Sequence, residues 1–149
     1  MKPVRTWILI ADGARARIVR NEGPGKGVEA VDGGLFEQEA RATREIMSDR
    51  PGRTFDSAGS GRHSMELPTD PAREEKRLFA ERLAAHLDRA AEDGAFDRLI
   101  VVAAPHTLGD LRAALSDKVR RRIHAELDKD LTKVPNDRLA AHLEDVIAL

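Results

Sequence analysis

"FDRLIVVAAP", residues 96–105, constrains the fold more than any other stretch of the chain. Leu99, Ile100, Val101 and Val102 are aliphatic without interruption, so a strand made from them carries apolar side chains on both faces. Such a strand is stable only inside a sheet that is covered on both sides. A helical pattern precedes it and another follows it, and "RIHAELDKDL" then alternates Ile123, Ala125 and Leu127 against His124 and Glu126 as a further strand. Strand, helix and strand in that order predict a right-handed parallel crossover.

The amino-terminal part reads as a three-strand meander. In "VRTWILIADGARARIVR" two strand-like runs flank Asp12-Gly13, a pair suited to the positive φ angles of a tight hairpin. Ala14, Ala16 and Ile18 alternate with Arg15, Arg17 and Val19, which predicts one buried face and one basic face. "NEGPGKG" is a glycine and proline turn, and "VEAVDGGLF" is again extended. A short helix over 37–48 is a weak pattern, with Ile46 and Met47 its only large apolar members.

"TDPAREE" opens a helix over about 71–93, with Asp70 as cap, Pro71 in the first position and Glu74 and Glu75 at the positive end of the dipole. Phe79, Leu83, Leu87 and Ala90 recur at helical spacing until Asp93-Gly94 ends the run. In "HTLGDLRAALSDKVRR", Thr107 and Asp110 are spaced as a capping-box variant, and Leu108, Leu111 and Leu115 form one stripe. "NDRLAAHLEDVIAL" reads as a last helix burying Leu139, Leu143, Val146 and Ile147. The order βββ(α)αβαβα describes one α/β domain over 1–149, a mixed sheet of about five strands with helices packed on it and a long polar loop at about 49–70.

Composition removes several function classes. The chain has 149 residues and no cysteine, which excludes disulfides, thiolate nucleophiles and Cys-based zinc sites. With 25 Lys and Arg against 26 Asp and Glu, net charge does not steer the molecule to nucleic acid, so any such binding must come from local clustering. Aromatic residues make up 3%, which weakens the case for a single-strand RNA platform, because such platforms stack bases on aromatic rings. The first apolar run lacks the pattern of a signal peptide, and no segment approaches the roughly 20 apolar residues that cross a bilayer. The expected location is the cytoplasm, without membrane insertion.

The candidate chemistry is sparse. Among His63, His86, His106, His124 and His142 no two stand three or four apart, so no helical metal pair is expected, nor any cofactor. A Ser-His-Asp set can be written from Ser57 or Ser64, His63 and Asp56 or Asp70, but it lies within one loop, without the rigid third group that orients a catalytic base. "GPGKG" lacks phosphate-loop spacing and sits between strands. Two basic features remain. "RPGRTFDSAGSGRHSMELPTDP", residues 50–71, carries Arg50, Arg53, Arg62 and His63 in a loop longer than the roughly 12 to 15 residues usual without function or disorder. Its arginines suit a phosphate or carboxylate, or the domain's own acids. "KVRRR" places Lys118, Arg120, Arg121 and Arg122 at a helix end, and with Arg112 these are the candidate RNA-phosphate contacts, against the plainer reading of a solvated face.

"WILIADGARARIVR", "SDRPGRTFDSAGSGRHSMELPTDP", "FAERLAAHL", "FDRLIVVAAPHTLGDLRAAL" and "AELDKDLTK" together resemble the bacterial host attachment family, proteins required for attachment to host cells. The resemblance spans nearly the whole chain in the same order. It implies a role in bacterial adhesion and names a phenotype, not a mechanism. More remotely, the chain is similar to the middle domain of archaeal and eukaryotic peptide-chain release factors, which has the same element order and a Gly-Gly-Gln loop before its long helix. Here "GSGRHSM", Gly59 to Met65, stands in that place, with Arg62-His63 where Gly-Gln would be. The only glutamine is Gln38, so release activity does not carry over. The reading favours binding over catalysis, with an unidentified protein or anionic ligand as partner at Arg50, Arg53, Arg62 and His63. The alternative is a ribosome- or RNA-associated factor using the cluster from Arg112 to Arg122.

Overall fold

A computed structural model describes residues 3–38 and 70–149. Its centre is a five-stranded mixed sheet in the order β3-β2-β1-β4-β5, formed by β1 (Thr6–Ala11), β2 (Arg15–Asn21), β3 (Glu29–Glu37), β4 (Arg98–Ala103) and β5 (Ile123–Leu127). β1 pairs antiparallel with β2 and parallel with β4, where Leu9 stands opposite Val101. β2 and β3 are antiparallel, and β4 and β5 parallel. The aliphatic run of residues 99–102 is fully buried in β4, as a strand covered on both faces requires.

The two covers have different origins. On one face α1 (Pro71–Glu92) lays Phe79, Leu83 and Leu87 over Trp7, Leu9, Ile18, Leu99 and Val101, joined by Leu108 and Leu111 of α2 (Pro105–Ala114) and Val119 of α3 (Asp117–Arg120). On the other, Leu131, Leu139, Leu143 and Ile147 of the carboxyl-terminal segment cover Ile8, Ile10, Val19, Ile100 and Val102. α1 begins as its sequence predicts: the Asp70 side chain accepts from the Ala72 N–H at 3.1 Å, Pro71 occupies the first turn, and Gly94 follows the end at φ 68°. In the "NEGPGKG" turn the buried Asn21 amide donates to the carbonyls of Gly23 and Gly27.

Several expectations are corrected. Gly13 is not among the glycines at positive φ, because the hairpin is closed by a side chain: Asp12 Oδ1 accepts from the N–H groups of Ala14 and Arg15 at 2.8 and 2.7 Å. The second face of β2 is not an open basic face, since Val19 is buried and Arg17 half-buried beneath the carboxyl-terminal segment. Thr107 and Asp110 do not cap α2. Thr107 is buried, no side chain caps the helix at Ala104, and Asp110 instead pairs with Arg73. The helical pattern after β4 breaks at Leu115, whose extended backbone lets Ser116 cap α3 through Val119 N–H. Ser116 Oγ also donates to Asp88 of α1 at 2.7 Å. The last helix is a 3-10 turn (Asn136–Arg138) and α4 (Leu139–Leu143), shorter than its apolar pattern predicts, although Leu139, Leu143 and Ile147 are buried and Val146 partly so. Of the 37–48 helix only Glu37, which ends β3, and Gln38 are described; the rest lies outside the described residues.

Candidate functional site

β1, β3, β4 and β5 run in one direction and β2 in the other, so Ala11, Glu37, Ala103 and Leu127 end along one edge of the sheet. The chain leaves β1 toward β2 and leaves β4 toward β5, which makes this edge a topological switch point, the place where open α/β sheets bind ligands. Its elements are tied together by polar contacts. Gln38 N–H donates to the Ala14 carbonyl at 2.6 Å, continuing the ladder past β3. Arg73 of α1 makes a two-pronged bond to Asp110 of α2, both arms 3.1 Å. The Lys76 stem lies against Gly13, where a β-carbon would come within 2.9 Å of its Cγ. Gln38 and Asp70, the residues flanking 39–69, therefore both lie at this edge.

Beside it, on the face covered by the carboxyl-terminal segment, is a cleft of about 410 Å³ with Arg15, Arg17, Glu37 and Thr132 as its polar members and Ile10, Ala16, Leu35 and Phe36 as its apolar ones. Leu35 is 80% exposed. Arg17 is held by Asn136 Oδ1 at 2.9 Å, the Thr132 carbonyl at 3.1 Å and the Val134 carbonyl. All three acceptors are neutral. Burial draws its pKa down, though a guanidinium stays charged, and among the described residues no carboxylate lies within ion-pair distance of it. Two of the nearby acids are occupied, and the third, Glu37, stands opposite Arg15 in the β2–β3 ladder and makes no ion pair with Arg17. Asp12 closes the hairpin, and bonds from the Thr132 side chain and N–H hold the Asp130 carboxyl below its usual range. This arrangement can bind an anion against an apolar wall.

Of the residues singled out from sequence, Arg50, Arg53, Arg62 and His63 lie outside the described residues. The second group is spread over separate contacts. Arg112 bonds Glu126 at 2.8 and 2.6 Å, which raises the arginine's pKa. Lys118 pairs with Glu92 at 3.2 Å, and Arg120 stands 3.7 Å from Asp117 and donates to the Arg112 carbonyl. Arg122 donates to the Phe96 carbonyl at 2.8 Å and lies over the Phe96 ring. Arg121 is exposed, and its N–H closes the end of α3. Arg15 and Arg17 were legible only as a basic stripe; the carbonyls that clamp Arg17 come from residues 115 or more positions away.

Among the described residues no helix is long and apolar enough to cross a membrane, and no group of three or more His, Asp or Glu is placed to hold a metal ion. No curated protein matches the chain significantly. The family described as "Protein required for attachment to host cells" matches residues 7–143, a span that takes in the five strands except Thr6 of β1 and every described helix. The sheet core, the cover formed by α1 to α3, the edge with its arginine cleft and the second cover apart from Ile147 thus fall within that match, and the chain belongs to the host attachment family.

Proposed function

We propose that this host attachment protein acts by binding, not by catalysis, and that it engages a carboxylate or phosphate group of its partner at the carboxyl edge of the sheet. The observation that carries this reading is Arg17, a half-buried cation beside a 410 Å³ cleft whose three acceptors are all neutral. An incoming anion would supply the missing counter-charge, and a hydrogen bond to a charged group contributes about 1.5–3 kcal/mol. Exposed Arg15, opposite Glu37 in the β2–β3 ladder, lies beside it as a second cation, and Leu35 adds an apolar contact. Arg50, Arg53, Arg62 and His63 are assigned to the same partner, because both residues flanking their segment lie at this edge. The cytoplasm is the proposed compartment, so the effect on adhesion is indirect; protease treatment of intact cells that removes the protein would reject that part.

The test replaces Arg15 and, separately, Arg50, Arg53 and Arg62 together with glutamine, and measures bacterial attachment alongside thermal unfolding of the purified proteins. Attachment should fall while the unfolding temperature stays within a few degrees, since Arg15 is exposed. Unchanged attachment in both variants overturns the proposal. Salt-sensitive sedimentation with ribosomes that depends on Arg121 would transfer the reading to RNA.

A further inference from the structure

A second cleft, of about 470 Å³, lies on the opposite face of the sheet, between the last turns of α1 and the strands β1 to β3. Trp7 lines it. This is the only tryptophan in the chain, 5% exposed, and among the described residues its indole N–H has no acceptor. The ring is fixed by stacking, with its centroid 5.0 Å from that of Phe96 and 6.2 Å from that of His86. A buried donor without an acceptor is unfavourable, so a ligand acceptor at this position gains more than one at an ordinary surface.

The remaining walls select the ligand by charge. Arg20 already has Glu22 at 3.0 Å and Glu29 at 3.4 Å, so Arg89 is the cation available to a bound anion; among the described residues it has no ion-pair partner. Asp32 and Asp93 line the same cleft, and Asp93 caps the carboxyl end of α1, the negative end of its dipole. A polyanion would be repelled by the two aspartates, and a polycation by Arg89. A molecule with one charge of each sign satisfies both walls, and the volume lies within the roughly 300–1,000 Å³ of small-molecule sites.

We propose that this cleft binds a small zwitterion of the α-amino acid class, its carboxylate accepting from the Trp7 indole N–H and Arg89 and its ammonium donating to Asp32 and Asp93. The site is separate in face and residues from the arginine cleft, and stands or falls independently of it.

The single tryptophan gives one indole N–H resonance, which reads the proposed bond directly. The full ¹⁵N-labelled chain is titrated with the common α-amino acids, and with acetate, methylammonium and inorganic phosphate as probes. At least one amino acid should shift that resonance saturably and change tryptophan fluorescence. Acetate and methylammonium, each carrying half of the charge pattern, should bind about tenfold or more weakly, and Arg89→Ala and Asp32→Asn should each weaken the amino acid by about tenfold or more. Both substituted side chains are exposed, and the rest of the spectrum reports that the fold is retained. The proposal is overturned if no amino acid moves the indole resonance at millimolar concentration, if phosphate or acetate binds as well, or if Arg89→Ala leaves the affinity unchanged.

Discussion

His86 is a titratable ring in a place that disfavours its charged form. Its face stacks with Trp7, Phe36 meets it edge-on at 5.0 Å, and burial followed by the Arg89 cation pushes its pKa below the usual histidine value. Arg82, over the Phe36 ring, and Arg20 add positive charge to the neighbourhood, while Asp32 and Asp93 oppose it across the cleft. Below about pH 6.5 the unfolded chain therefore takes up a proton that the folded chain refuses. Stability is full above that pH, declines as pH falls toward the depressed folded value, and then levels. Thermal unfolding from about pH 7 to about pH 5.5 should show this decline, and His86→Phe should flatten it; parallel slopes would contradict the assignment. Asp97, held low by bonds from the Arg5 side chain and N–H, stays outside this window, because its contribution is lost only as pH falls below the ordinary aspartate range. From sequence, His86 was legible as a residue beside the apolar stripe of a helix. Its aromatic neighbours were not, since Trp7 and Phe36 arrive from strands formed far earlier in the chain.

At the scale of elements, β3 shows how a sequence reading can be right in type and incomplete in geometry. "VEAVDGGLF" reads as extended, and it is, but Arg17 pairs with Leu35 and Val19 with Ala30, so Val31 to Gly34 stand opposite Ile18 alone. The excursion needs Gly33 at φ 73°, and it brings Gly34 so close that a β-carbon there would lie 2.9 Å from the Val31 carbonyl oxygen and 3.2 Å from Ile18 Cβ. A bulge of this kind on an edge strand also spoils the regular row of hydrogen-bonding groups that another chain could extend. Gly34→Ala should cost about 1–3 kcal/mol in urea unfolding, because its contacts are backbone and a β-branched stem that cannot swing away. α1 was legible to within a residue, since its cap, proline and stop are all local. The break between α2 and α3 was not, because what stabilises it is a bond from Ser116 to Asp88 on another helix.

For the whole molecule, the cover on the second face decides both stability and site. Leu139, Leu143 and Ile147 come from a segment with little regular helix, yet they bury the side of β1 and β4 that the long helix cannot reach. Leu143→Ala should cost about 2–5 kcal/mol, because the residue is fully buried and the space it leaves is bounded by a sheet that cannot collapse into it; equilibrium unfolding in urea measures this. The amino-acid sequence by itself determined the class of fold: an uninterrupted aliphatic strand must be covered on both sides, and alternation, caps and turn residues act over only a few positions, so they can be read locally. The tertiary structure alone decided where charge is left without a partner. Whether Arg17 faces water or carbonyl groups, whether Arg112 is free or bonded to Glu126, and whether the Trp7 N–H finds an acceptor depend on residues brought together from distant positions by packing. Electrostatic and hydrogen-bond contacts act over a few ångströms in space, and that proximity is created by the fold.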